Sequence, residues 1–202
     1  QEELKRLIPA IKLVRKYTKN LFISVDTFRS EVAIACVENG ADMINDISAG
    51  ENDKNMFDTI IKLNVPYIMM HMKGNPLTMQ NKPNYNDVMS ELKEFFNTKI
   101  ENLNNKGFNK IIIDPGFGFG KTLDNNYTIL KNLMQFKEFN LPILIGASRK
   151  SMIYNILNKK PETSLNGTSI INTIGLINGA SILRVHDVEE AMECIKITNT
   201  LK

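Results

Sequence analysis

Polar and charged residues close each of six short apolar runs in this chain: Asp26-Thr27, Asn45-Asp46, His71, Asp114-Pro115-Gly116, Ser148-Arg149-Lys150, and Arg184 with His186. Asp26, Asn45 and Asp114 offer carboxylate and amide oxygens. Such acceptors suit a flat heterocycle with several N–H donors, because a buried N–H left unpaired costs about 1–3 kcal/mol. Lys150, Arg184 and His186 offer donors instead, which suit a phosphate-type anion through charge-assisted bonds. The implied chemistry joins a ring-binding set to an anion-binding set. Any one of these residues reads equally well as the first polar residue of a surface loop, but their recurrence after every run does not.

The segment Gly116-Phe117-Gly118-Phe119-Gly120-Lys121-Thr122 has the look of a phosphate loop and fails its spacing. Three residues separate Gly116 from Gly120-Lys121-Thr122 where that motif needs four, and position 115 is Pro. The dinucleotide fingerprint G-x-G-x-x-G is not met either. The glycines instead let a strand end turn sharply beneath a ligand, with Phe117 or Phe119 as an apolar wall.

The elements that must position these residues follow from apolar period. Leu21–Val25, Met43–Ile44, Tyr67–Met70, Ile111–Ile113, Ile143–Ile145 and Ile182–Val185 read as strands alternating with helices. The runs are apolar on both faces, which predicts parallel strands covered by helices, the α/β class. In a parallel barrel all strand carboxyl ends share one face, so the polar termini converge. After the first strand, Val32, Ala33, Cys36 and Val37 share one helix face that stops at Asn39-Gly40. A second helix from about Asn86 to Asn105 repeats Val88, Leu92, Phe95, Phe96, Ile100 and Leu103. The opening helix carries Leu4, Leu7, Ile8, Ile11 and Val14 on a stripe, with Pro9 expected to kink or restart it. Asp187-Val188-Glu189-Glu190 reads as an acidic cap opening the last helix. His71 to Asn86 and Lys159 to Thr168 are the longer connections, of the kind that carry function when they follow strands.

Composition narrows the classes further. Of 202 residues, 43% are hydrophobic and 23% charged, a globular balance that excludes a disordered tail or a disulfide scaffold. The 25 Lys and Arg against 22 Asp and Glu are dispersed, so no nucleic-acid surface is expected. No apolar stretch approaches the roughly 18 residues of a membrane-spanning helix, and Gln1-Glu2-Glu3 does not read as a secretory signal. Cys36 and Cys194 lie far apart with no metal-ligand spacing and read as reduced core thiols, which suits a cytoplasmic location. No linker or composition shift divides residues 1–202, which read as a single domain.

Taken in order, Asp114-Pro115-Gly116-Phe117-Gly118-Phe119-Gly120-Lys121, Ser148-Arg149-Lys150-Ser151 and Arg184-Val185-His186-Asp187 resemble the dihydropteroate synthase family of pterin-binding enzymes. Ser24-Val25-Asp26-Thr27, Asn45-Asp46-Ile47, Met70-His71-Met72, Gly74-Asn75-Pro76 and Leu165-Asn166-Gly167-Thr168 extend the likeness over essentially the whole chain. The resemblance implies a TIM (β/α)₈ barrel that condenses 6-hydroxymethyl-7,8-dihydropterin diphosphate with p-aminobenzoate, giving dihydropteroate and diphosphate. It implies Asp26, Asn45 and Asp114 on the pterin edge, Met70 against its face, and Lys150 directed at the ring. Phe119 and Ser148 would border the aminobenzoate, Gly146 would permit close approach, and Arg184 with His186 would bind the diphosphate. Asp26 and Asp114 would steady a cationic pterin-methyl centre, while Arg184, His186 and Mg²⁺ would steady the departing anion, with no covalent enzyme intermediate. Family members are homodimers packed through outer helices.

The chain departs from the family pattern at its start. The Asn-x-Thr-Pro-Asp-Ser-Phe-type motif and the Gly, Ser, Thr, Arg and Pro-rich loop that precede these motifs in complete members are not found, so no metal ligand is named. Six strands are read where the barrel uses eight, consistent with the first two βα units lying outside this sequence. A pterin-binding methyltransferase domain would share the barrel and the acceptors, yet a methyl donor has no diphosphate for Arg184 and His186. A pterin-binding fragment without turnover is the other reading.

Overall fold

The computed structural model describes residues 1–74 and 83–201, which divide between two compact units. The first unit comprises Gln1–Met70 and Asn97–Ile112, the second His71–Phe96 and Ile113–Lys202.

In the first unit α1 (Glu2–Tyr17), β1 (Ser24–Asp26), α2 (Ser30–Glu38), β2 (Met43–Asp46), α3 (Met56–Leu63) and β3 (Tyr67–Met70) alternate, and the unit takes in the later part of α4 (Val88–Asn105) and the start of β4 (Ile111–Asp114). The sheet runs β1-β2-β3-β4, spatial order following chain order. All four residues of β3 are buried, as expected of a strand covered on both faces. The register pairs Val25 with Ile44 and Asp26 with Asn45, then Asn45 with Ile68. Val32, Ala33 and Cys36 bury the inner face of α2, and Gly40 turns the chain at φ +108.

One expectation fails here. Leu21 and Phe22 are 63% and 76% exposed and lie outside β1, which starts at Ser24 because an edge strand is held only where its one neighbour reaches. Of the two outcomes expected at Pro9, a restart does not occur: α1 runs unbroken from Glu2 to Tyr17. Pro9 lies on the exposed side, where water can serve the carbonyl it leaves unpaired.

The second unit holds the early part of α4, the end of β4, α5 (Leu123–Lys131), a 3₁₀ segment (Leu133–Phe139), β5 (Leu144–Ile145), α6 (Ser151–Tyr154), α7 (Leu165–Ile177), β6 (Ile182–Leu183) and α8 (Val188–Asn199). Phe96 packs edge-on against Phe95 and Phe136, with ring centroids 5.4 and 5.8 Å away. A parallel bridge joins Ile113 to Ile143, and β5 pairs in parallel with β6, Leu144 opposite Ile182 and Ile145 opposite Leu183. Val185 falls outside β6.

Leu165-Asn166-Gly167-Thr168 was expected in a connection and instead opens α7. A Cβ on Gly167 would stand 2.4 Å from Ile153 Cγ2, and one on Gly175 2.2 Å from Ile145 Cδ1. These glycines therefore mark close packing of a helix rather than a break in one. Asp187 occupies the cap position of α8, but its side chain makes no capping bond. The carboxylate is drawn to Arg149, which offers two donors and a charge where the cap offers one amide. Residues 75–82 of the His71 to Asn86 connection lie outside the described residues.

The class is α/β, with six parallel strands in chain order that do not close a full barrel among the described residues. Both cysteines are free and buried, and no helix among the described residues is long and apolar enough to cross a membrane.

Candidate functional site

In the first unit the β1–β2 register sets Asp26 beside Asn45, and Asn45 Nδ2 donates to Asp26 Oδ1 at 2.7 Å. Asn45 is buried, yet its Oδ1 meets no donor among the described residues. A buried carbonyl oxygen without a partner is costly, which marks it as an acceptor awaiting a ligand N–H. Asp26 is exposed, and Met70 is buried at the end of β3. Behind Asn45, Asp46 accepts from Ser48 N–H, Ser48 Oγ–H, Gly50 N–H and Tyr67 O–H at 2.7–2.8 Å. That network fixes the strand end that carries Asn45.

In the second unit Asp114 ends β4 fully inside the protein, its Oδ1 accepting the Gly116 N–H at 2.8 Å. Burial pushes its carboxyl above the usual range, while Lys150, the Gly116 amide, Lys121 and Arg184 pull the other way. Gly116, Gly118 and Gly120 all have positive φ, so the chain turns as the glycines predict. A Cβ on Gly120 would lie 2.1 Å from the Lys73 carbonyl oxygen, so no other residue fits that approach. Asn126 Oδ1 accepts from Gly118 N–H, and Thr122 Oγ1 caps α5 by accepting from Asn125 N–H.

Lys121 is buried, not a solvent-facing phosphate ligand. Its Nζ lies 2.9 Å from Gly116 O, 3.0 Å from Phe119 O, 3.3 Å from His71 O and 3.0 Å from His71 Nδ1. Burial lowers its pKa to about 7, Lys150 adding to the effect and Asp114 opposing it. Lys150 Nζ donates to Phe117 O at 2.6 Å and stands 4.5 Å from the centre of the Phe119 ring. Its own pKa falls to about 8, again chiefly through burial, with Asp114 opposing and Arg184 adding.

The β5–β6 register continues beyond the strands. Arg184 N–H donates to Ile145 O at 2.9 Å, and a Cβ on Gly146 would meet only Arg184 Cβ at 3.8 Å, so the chain itself leaves Gly146 open. Two residues further, Ser148 Oγ lies 2.9 Å from His186 Nδ1 and accepts His186 N–H at 3.3 Å. Ser148 is buried, whereas Arg184 and His186 are exposed. The exposed Arg184 and His186 can hold an anion, and the buried Asp114 carboxylate, which feels the Arg184 charge, can accept from N–H donors.

The structure thus pairs Asp26 with Asn45 and gathers Asp114, Lys150 and Arg184 in one field, with Ser148 holding His186. Sequence reasoning assigned no role to Lys121 or Asn126 and placed His71 only among the polar strand ends. The only signal for Lys121 was a lysine closing a glycine run, which reads first as phosphate binding. Among the described residues no three His, Cys, Asp or Glu side chains gather to hold a metal.

Comparison with known proteins adds an independent line. The family model described as pterin binding enzyme matches residues 1–186. A protein of Escherichia coli (strain K12) named dihydropteroate synthase is 40% identical over 199 residues, covering 98% of this chain and 70% of that protein. The dihydropteroate synthase of Synechocystis is 39% identical over 204 residues, covering 100% of this chain and 70% of the relative. Among solved structures, the dihydropteroate synthase of Yersinia pestis in complex with a sulfonamide drug superposes with a TM-score of 0.95 at 37% identity, over 100% of this chain and 73% of that one. The enzyme of Stenotrophomonas maltophilia with imidazole in its active site gives 0.95 at 36% identity, over 99% and 76%.

Proposed function

The chain belongs to the pterin-binding enzymes and is a transferase with the dihydropteroate synthase function in folate biosynthesis, and from that premise we propose how its residues divide the work. The reaction breaks the C–O bond between the pterin methylene and diphosphate and forms a C–N bond to the amine of p-aminobenzoate. Asp114 carries this reading: a buried carboxylate at a strand end, facing Lys150, Lys121 and Arg184, suits a ring whose N–H edge it accepts and whose methylene becomes cationic. In the first unit, Asn45 Oδ1 and Asp26 are acceptors of the kind a pterin edge needs, and Met70 is an apolar surface of the kind its face needs.

Lys150 is directed at the ring, its ammonium kept in place by Phe117 O and the Phe119 face. Arg184 and His186 receive the diphosphate as the C–O bond lengthens. Phe119, Ser148 and Gly146 border the aminobenzoate, whose neutral amine attacks the methylene and loses its proton afterwards, so no side chain serves as a nucleophile. Positioning and electrostatics supply the catalysis. Mg²⁺ would accompany the diphosphate; the described residues do not assemble a metal site, and no step is assigned to the ion. Exposed Ile170, Ile174, Ile177, Met192 and Ile197 on α7 and α8 support a homodimer, which sedimentation of the native protein tests. The free buried thiols support a cytoplasmic setting.

The test is calorimetric binding of 6-hydroxymethylpterin beside a diphosphate-release assay with both substrates. Asp114→Asn loses a charged acceptor, so pterin affinity falls roughly 10- to 100-fold for about 1.5–3 kcal/mol, and diphosphate release falls with it. Pterin affinity within threefold of the parent chain refutes the assignment.

A further inference from the structure

The β5–β6 ladder is two residues long on each strand, and the residues placed on the anion lie beyond its end. Arg184 and His186 therefore need another source of order. The backbone contributes one more bond, Arg184 N–H to Ile145 O. After that the two segments are joined by side chains in the same register as the strands: Ser148 with His186, then Arg149 with Asp187.

Arg149 shows features that a solvent-facing arginine lacks. Its Nε donates to Asp187 Oδ2 at 3.0 Å and its Nη2 to Asp187 Oδ1, a two-point fork that fixes orientation as well as distance. Its backbone is left-handed at φ +55, a conformation that costs a branched or long side chain about 1–2 kcal/mol. Its amide donates to Thr168 Oγ1 at 3.1 Å, which ties the turn to α7. On the other side Asp187 leaves the amides of α8 uncapped. Strain at one partner and a forgone cap at the other both serve the same ion pair. Arg149 directly precedes Lys150, and Asp187 directly follows His186.

Resting on the reading of Arg184 and His186 as the diphosphate site, we propose that Arg149 and Asp187 are positioning residues that hold the two loops in register so that Arg184 and His186 meet one anion. Neither touches the substrate; the pair acts through His186, which adjoins Asp187, and through the segment whose Ser148 holds the His186 ring.

The test measures, on the intact chain, calorimetric affinity for inorganic diphosphate and for 6-hydroxymethylpterin, which lacks the anion. Asp187→Asn removes the charge at nearly constant shape. Arg149→Asn removes the fork while keeping a residue that tolerates positive φ, and Arg149→Lys keeps the charge without the fork for use if the others fold poorly. Diphosphate binding is expected to weaken at least tenfold in Asp187→Asn and Arg149→Asn, and by less in Arg149→Lys, with pterin affinity within twofold throughout. Equal weakening of both ligands, or loss of thermal stability with diphosphate affinity unchanged, overturns the proposal and leaves a merely structural pair. If the parent chain binds pterin but no diphosphate, the anion-site reading falls and the proposal with it.

Discussion

Lys121 offers the sharpest quantitative test of how the second unit is built. Its ammonium has an ordinary pKa of 10.5 when exposed and about 7 in the fold, because burial penalises the charge more than Asp114 relieves it. Below pH 7 both the folded and unfolded chains hold the proton, and this group contributes nothing to the pH dependence. Between about 7 and 10.5 the unfolded chain holds it and the folded chain does not, so stability rises with pH. One proton gives about 1.4 kcal/mol per pH unit, hence roughly 3 kcal/mol between pH 7.5 and 9.5. Lys150, lowered to about 8, adds a slope of the same sign, so the Lys121 contribution is isolated as the difference between the parent chain and Lys121→Met. Urea unfolding of both at half-unit pH steps measures it. A difference that stays flat within about 0.5 kcal/mol across that window refutes the reasoning. Should Lys121→Met fail to fold, proton uptake on unfolding the parent chain at pH 8.5 is the alternative; more than about one proton is expected, and none would be decisive against it.

Two further outcomes follow from the packing. Tyr67→Phe deletes a 2.7 Å bond to the Asp46 carboxylate at a fully buried pair, and should lower unfolding free energy by about 1.5–3 kcal/mol in chemical denaturation; a loss under about 0.5 would mean that Ser48 and Gly50 alone hold Asp46. Gly120→Ala must displace a main-chain oxygen at positive φ, whereas Gly107→Ala meets positive φ with open space around it. The first should cost at least about 2 kcal/mol more than the second, and equal losses would remove the close approach as the reason for Gly120.

What could be read from the sequence was whatever local pattern decides. Asp26, Asn45, Asp114 and Arg184 stood out because each ends an apolar run, and the parallel register then set Asp26 beside Asn45 and Arg184 beside Gly146. Asp187 was misread because the local capping rule is visible in four consecutive letters, while its actual partner lies 38 residues away. Gly167 was read as a loop signal for the same reason, since the Ile153 side chain that requires it belongs to another helix. Lys121 was hidden because nothing in a glycine run tells whether the following lysine points outward to a ligand or inward to carbonyls. Burial settles that, and burial is a property of the assembled unit.

The Ser148–His186 contact has a consequence for hydrogen bookkeeping at the anion site. Ser148 Oγ accepts the His186 amide hydrogen with one lone pair, and its second lone pair and its own hydrogen let it either accept from Nδ1 or donate to it, so the serine holds this nitrogen in either ring tautomer. That leaves Nε2 as the ring nitrogen for a bound diphosphate. An anion oxygen placed there selects the ring form with hydrogen on Nε2, and the serine hydroxyl meets that choice by rotating its own hydrogen rather than by moving the backbone.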